Sequence, residues 1–334
     1  MKVQRELLLN HLCLVSAGLA AKDMVEQSSC FAFEKGKIFT FNDEISCSVK
    51  SPIEIEGAVS ATPLMELLSK MHEDEIDVSQ NSNNIIIKGI DKIAHFNLQN
   101  KITLPFDDVE QPKKWSHLNP EFSEAIDIVQ ATAARGTQSS FHLTCIHITP
   151  EIIESCDNHQ ATRYPLRTGV KDDVLIRQSS IKHVAALGMD EVSCGANWMH
   201  FQNTNVSDLV MSCRYTTQID YTNLDGIFEV KGTPATLPGG LEEAAEKAQV
   251  FTKDQATEVV TVHLHDDVLI LKGQGTSGEY TEKKKVKFKG DVTFTIAPKL
   301  LAEIVNRAND CLISKEQLLV NTGKFTYVTA LVTS

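Results

Sequence analysis

The chain has 334 residues, 42% of them apolar but only 6% aromatic, and a formal net charge of −12. Leu, Ile and Val must supply most of the packing, and no apolar run approaches the roughly 18 residues of a membrane span. The acidic sum does not exclude nucleic acid, because a basic face can sit on a chain that is acidic elsewhere. Charges at Lys2, Arg5 and Glu6 interrupt any leader-like apolar stretch, so the expectation is no export signal and a cytoplasmic protein. Eight scattered cysteines without a Cys-x-x-Cys pair read as free, mostly buried thiols of a reducing compartment.

In chain order, the first element is a helix with Leu8, Leu12, Val15 and Leu19 on one stripe. Strands follow around Phe31 and Phe33 and around Ile38 and Phe41, joined by a turn at 34–37. Pro63 opens a second helix, with Leu64, Leu67, Leu68 and Met71 at helical spacing. After the acidic turn Glu73-Asp74-Glu75 come strands at 76–78, 85–87 and 93–98. Residues 107–116, containing Pro112-Lys113-Lys114, read as a linker. The second set starts with Asn119 as N-cap and Pro120 at the first helical position, then Phe122, Ile126, Val129 and Ala133. Its strands at 145–148 and 152–153 flank a Thr149-Pro150 turn. A helix through Ile181, Val184 and Ala185 leads to strands at Val192, 198–201 and 209–215. Residues 232–240, with Pro234 and Pro238, read as the second linker. The third set has a helix with Leu241, Ala245 and Ala248, then strands at 260–264 and 268–271 about a turn at 265–267. A glycine-bearing stretch, 273–278, reads as a mobile loop before a strand at 283–289. A helix after Pro298 (Leu301, Ile304, Val305, Ala308) precedes strands at 312–313, 318–320 and 325–332.

The sets recur at an offset of about 115–120 residues, the size of a small domain. The expected domains are 1–115, 116–232 and 233–334. Each reads helix, strands, helix, strands, so a duplication lies inside a triplication. Two helices packed on antiparallel sheet define an α+β class. Tandem domains with one helix face free, paired symmetrically through their ends, would close a ring.

Few residues suggest chemistry. His159 stands beside Asp157 and Cys156 without a second ligand group at metal-binding spacing. His263 and His265 share a strand face, but no third ligand follows in sequence, so a solvent-facing or cross-strand packing role is expected. The glycines of 273–278 precede no helix and lack the Lys-Ser/Thr of a phosphate loop. No nucleophile, base and orienter come together. The expectation is no catalysis, no metal and no cofactor.

The ordered set of strings resembles the bacterial sliding clamp, the beta subunit of DNA polymerase III, over essentially the whole chain. Val15-Ser16-Ala17-Gly18-Leu19-Ala20-Ala21-Lys22 is similar to the end of that family's first helix and the loop after it. Phe96-Asn97-Leu98 with Leu104-Pro105 resembles the close of its first domain. Cys156-Asp157-Asn158-His159 matches part of a Thr-Asp-Gly-His-Arg-Leu motif, and the last strand, 327–334, ends where the clamp's tail ends. Asn158, Gln160 and Ala161 replace the motif's Gly, Arg and Leu, and the Met-Pro tail has become Ala330-Leu331-Val332. These are the departures of a divergent clamp, such as a phage or mobile element would encode.

The resemblance implies a homodimeric ring of the DNA-clamp fold, with helices lining the hole. It would encircle duplex DNA without sequence preference and tether a polymerase, a clamp loader and other partners by short peptides. The peptide pocket maps to His142, Asp157, Asn158, His159, Ala161, Ile219, Leu224, Val328 and Ala330. Ile219 and Leu224 come from 217–224, which resembles an Arg-Phe-Pro-Asp-Tyr segment. The DNA-facing positions are Lys22, Lys70, Arg135, Lys182, Lys247, Lys299 and Arg307, while Ser179 and Ser180 stand where basic residues are expected. The dimer contact maps to Phe106 and Val109 on one side and Val250 and Phe251 on the other. A clamp-like scaffold that gathers partners without encircling DNA is the alternative.

Overall fold

Apolar stripes at helical spacing become helices. In the computed structural model, which describes residues 1–23, 25–136, 139–254 and 258–331, these are α1 (Arg5–Val15), α2 (Ala61–Lys70), α3 (Phe122–Val129), α4 (Gln178–Ala186), α5 (Leu241–Gln249) and α6 (Pro298–Arg307). Leu8, Leu12 and Val15 of α1 are buried, whereas Leu19 lies past the helix end, beyond a 3-10 turn at Ser16–Gly18. Asn119 serves the turn leading into α3: its side-chain oxygen accepts from the Glu121 N–H at 2.9 Å. Pro298 sits in the first turn of α6, where its missing N–H is not needed. Leu241, Ala244, Ala245 and Ala248 bury a nearly all-alanine face of α5, and small side chains let α6 approach closely. None of the described helices is long and apolar enough to cross a membrane.

The chain divides into two compact units. Unit one comprises Met1–Ser123, Gly169–Lys171 and Ser179–Thr216; unit two comprises Glu124–Thr168, Asp172–Gln178 and Thr217–Ser334. The segment expected to be the middle domain, 116–232, is thus shared between them.

Within unit one, Lys2–Gln4, Glu75–Gln80, Asn84–Gly89 and Lys92–Asn97 form a four-stranded antiparallel sheet in that order. A second antiparallel run joins Ser116–His117, Glu191–Cys194, Trp198–Gln202, Val210–Thr216, Ile45–Lys50, Lys37–Phe41, Cys30–Glu34 and Gly57–Ser60. Unit two repeats the plan. Its four-stranded sheet is Gly278–Lys285, Val268–Gly275, Val260–His265 and Asp291–Ile296. Its longer run is Thr233–Thr236, Asp310–Ile313, Gln317–Asn321, Thr326–Ala330, Gln160–Pro165, Ile152–Cys156, Cys145–Ile148 and Val174–Arg177.

Five strands stand where none was expected, at Ile45–Lys50, Gly57–Ser60, Gln160–Pro165, Val174–Arg177 and Asp291–Ile296. Three very short ones also escape the sequence pattern: Lys2–Gln4, Ser116–His117 and Thr233–Thr236. Each pairs with the strand after the second helix of a set, at Glu75–Gln80, Glu191–Cys194 and Asp310–Ile313. Two to four residues are too few to show a period of two, so two of them read as linker. Pro234 is accepted because its strand lies at the edge of the run.

The expected loop at 273–278 is instead the tip of two long paired strands, with Gly275 opposite Gly278. The glycines are there for closeness. A Cβ on Gly273 would meet the Ala248 carbonyl oxygen at 2.5 Å, and one on Gly275 would meet that of Phe251 at 1.8 Å. The following strand accordingly runs Gly278–Lys285 rather than 283–289.

All eight cysteines are thiols outside any disulfide, and six are buried; burial pushes the Cys47 and Cys311 thiols up to about 12, which makes them unreactive. Residues 332–334, which the last predicted strand and the tail motif include, lie outside the described residues. Gly275→Ala should destabilise the protein by about 1–3 kcal/mol, read from the urea midpoint. Gly226→Ala, with nothing near its Cβ position, should shift that midpoint little.

Candidate partner site and nucleic-acid faces

In unit two, strand register lays five apolar residues in a row. Cys156 stands opposite Ala161, Ala161 opposite Val328, Val328 opposite Leu319, and Leu319 opposite Leu312. The turn between the first two strands is set by Asp157, whose Oδ1 accepts from the N–H groups of His159 (2.7 Å) and Gln160 (2.8 Å). Leu143, from the 3-10 turn Phe141–Thr144, completes one wall.

Residues 221–230 lie over this row. Leu224 is buried with Ala161 and Val328, and Tyr221, Ile227, Phe228 and Val230 pack beside it. Tyr221 stacks on His147 with ring centroids 4.5 Å apart and donates to Cys156 Sγ at 3.4 Å. Arg163 pins the segment: Nε donates to Glu154 at 2.6 Å, Nη1 to Asp225 at 2.7 Å, and the guanidinium lies 4.9 Å over the Phe228 ring. His147 closes the network, Nδ1 2.8 Å from Glu154 and Nε2 2.7 Å from Asp173. Burial pulls the His147 imidazolium down, but the bonds to Glu154 and Asp173 outweigh it, and the net shift is upward.

The sequence-predicted pocket therefore separates into parts. Ala161, Leu224 and Val328 meet in the closed apolar cluster. Asp157 and His159 line a neighbouring cleft of about 210 Å³ together with Arg135, which was expected on the DNA side. Asn158 and Ala330 are exposed, His142 is half-buried, and Ile219 is 41% exposed. Arg163, Glu154, His147 and Tyr221 were not singled out from sequence. The pairing of strands 145–148, 152–156 and 160–165 gathers the first three, and Tyr221 reaches them from the 221–230 segment.

Of the expected dimer set, Phe106 and Val109 are engaged inside unit one. Val109 is buried with Trp198, Phe41 and Leu104, and Phe106 stacks on Phe39 at 4.5 Å. One repeat on, the counterpart of this segment is the stretch covering the unit-two cluster. Val250 is 63% exposed, and Phe251 stacks on Tyr280 of the edge strand Gly278–Lys285. In unit one the edge strand Lys92–Asn97 carries Ile93, 58% exposed, just after Ile90, 75% exposed. Neither edge has a further partner strand among the described residues.

The basic residues differ in their freedom. Lys70 pairs with Glu66 at 3.7 Å, Lys247 with Glu243 at 2.7 Å, and Arg307 with Glu124 and Glu303 at 2.6 and 3.2 Å. Lys22, Arg135 and Lys182 are exposed without a carboxylate partner among the described residues. A groove of about 640 Å³ between α3, α5 and α6 carries Glu124, Asp127, Glu242, Glu246 and Glu303 against Lys299 and Arg307. Burial pushes the Asp127 carboxyl up, with Lys299 opposing.

A plan of helices over antiparallel strands that recurs three times along the chain is the DNA-clamp fold. Among solved structures, it is the fold of the bacterial DNA polymerase III beta subunit. The chain matches the Pseudomonas aeruginosa subunit at a TM-score of 0.72 and 14% identity, covering all of both chains. It matches the Bartonella birtlesii sliding clamp, solved bound to griselimycin, at 0.75 and 13%, and the Streptococcus pneumoniae beta chain at 0.71 and 16%. Each of these two alignments covers 100% of this chain and 99% of the other. No protein-family pattern and no curated protein matches in sequence.

Leu224→Ala should cost roughly 2–5 kcal/mol, as for any buried leucine whose cavity refills incompletely, and thermal unfolding would report it. His147 has a raised folded-state value, so its contribution to stability is complete below the unfolded imidazole value, near 6.5, and fades as pH rises through the folded one. The melting temperature should therefore fall on raising pH above about 6.5, and His147→Gln should flatten that slope.

Proposed function

We propose that this chain is a DNA sliding clamp and processivity factor. Two copies join head to tail, the ring encircles duplex DNA, and partners are tethered by peptides at the unit-two cluster. It works in the cytoplasm and contributes no catalysis of its own. The observation carrying this reading is the pattern of strand joints. Ile45–Lys50 pairs with Val210–Thr216, and Gln160–Pro165 pairs with Thr326–Ala330. In the repeat, the strands standing third in line are Gly278–Lys285 and Lys92–Asn97, each at one edge of a four-stranded sheet with no partner beyond it among the described residues. Pairing them between copies supplies the missing joint and covers Val250, Ile93 and Ile90, three of the few large apolar side chains left exposed.

Val250→Asp and Ile93→Asp should each convert a dimer to a monomer in light scattering, since a charge would enter an apolar joint. Phe106→Asp should instead lower stability by about 1–3 kcal/mol, by losing the Phe39 stack and setting a charge against the unit-one core. A dimer that survives both edge variants defeats this closure.

The paired state of Lys70, Lys247 and Arg307 and the acidic α3–α5–α6 groove favour a second reading, a scaffold that does not encircle DNA. Salt dependence separates the two. For a clamp, Lys22→Glu, Arg135→Glu and Lys182→Glu together should weaken duplex binding equally for all sequences. The slope of log affinity against log salt should flatten by roughly 0.9 for each phosphate that is no longer neutralised. A slope near zero in the parent protein supports the scaffold.

A further inference from the structure

We propose that His263, His265 and Asp291 form a binding site for a divalent transition metal of the zinc class, on the outer face of the unit-two four-stranded sheet. The strand Val260–His265 alternates cleanly: Val260, Val262 and Leu264 are buried, while His263 and His265 share the opposite face. Sequence alone offered no third ligand. Strand pairing supplies it from 26 residues further on, because Asp291 stands directly opposite His265 and diagonal to His263.

The three side chains converge. His263 Nε2 is 2.7 Å from Asp291 Oδ1, His265 Nδ1 is 3.1 Å from Asp291 Oδ2, and the imidazole centroids are 5.8 Å apart. One donor atom from each residue falls within 4.8 Å of the other two. Ligands on a tetrahedral zinc with bonds near 2.0–2.1 Å are about 3.4 Å apart, so small rotamer changes bring these atoms onto one ion. Two neutral imidazoles and a carboxylate suit zinc and its neighbours rather than calcium or magnesium, which prefer all-oxygen sets.

The surroundings fit an ion. All three residues are partly exposed, leaving an approach and open coordination positions. On the other flank, the residues opposite the two histidines are Ile270 and Val268, and neither brings a competing cation. Asp266, in the adjoining turn, puts Oδ2 3.6 Å from His265 Nε2 and is a further carboxylate within reach. Its neighbour Asp267 is already engaged with Lys289 at 2.6 Å. An ion here would strap the edge strand Asp291–Ile296 to the body of its sheet.

The test is a titration of full-length, chelator-stripped protein with Zn²⁺ against a chromophoric competitor. The expectation is one equivalent per chain with an affinity at or below the micromolar range. Affinity should fall roughly a hundredfold in His263→Ala/His265→Ala and at least tenfold in Asp291→Asn, by the loss of ligands. Asp291→Asn keeps the shape of the side chain and all eight cysteines, so a fall there reports neither misfolding nor thiol binding. Stoichiometric binding that persists unchanged in both variants, or binding only at millimolar Zn²⁺, overturns the proposal.

Discussion

Main-chain hydrogen bonding at sheet edges is the constraint on which the rest of this structure depends. A strand at an edge offers a row of N–H and C=O groups, and one that is long and regular invites a partner. In unit one, Val210–Thr216 satisfies the edge of Ile45–Lys50; in unit two, Thr326–Ala330 satisfies that of Gln160–Pro165. Each joint brings together segments more than 160 residues apart, so each compact unit is assembled from distant pieces of chain. In the proposed ring, the same logic would bring the edges Lys92–Asn97 and Gly278–Lys285 together between two copies.

The unit-two cluster shows how register gathers small and apolar residues into one patch. Ala161 and Val328 meet because their strands pair at that position, and Leu224 completes the cluster from a segment that belongs to neither strand. What holds that segment is polar: Arg163 joins Glu154 beneath it to Asp225 upon it, and His147 carries Tyr221 on its ring. In the proposed function, a peptide would displace part of the 221–230 stretch or bind at its rim. There Ile219 is exposed and Asp157, His159 and Arg135 line the adjoining cleft. Ala161 is covered by Leu224 of the same chain, whereas Ala330 stays exposed.

Electrostatics divides the basic residues by their neighbours rather than by their count. On α2, α5 and α6 a glutamate four residues away occupies Lys70, Lys247 or Arg307. Such exposed pairs add only a few tenths of a kcal/mol to a helix, but they lower the field that phosphate would meet. Lys22, Arg135 and Lys182, without such partners, are the stronger candidates for weak, sequence-blind attraction.

The repeat was legible in the sequence because helical stripes and apolar strand runs are local properties. Leu8, Leu12, Val15, Leu64, Leu68, Ile181, Val184, Leu301 and Ile304 all face inward as their spacing demands. Turns such as Lys35-Gly36 and Asp266-Asp267, with positive φ, were legible for the same reason. Strands of two to four residues were not, since a period needs length to be seen, and the glycines at 273 and 275 looked like a loop because nothing local reveals the helix end packed against them. Cross-strand register was equally out of reach. It depends on hydrogen-bonded pairing between segments far apart in sequence. That pairing gathered His147, Glu154 and Arg163 beneath Tyr221 and brought Asp291 against His263 and His265, while equally long-range packing buried Val109 in the unit-one core and laid Phe106 against it.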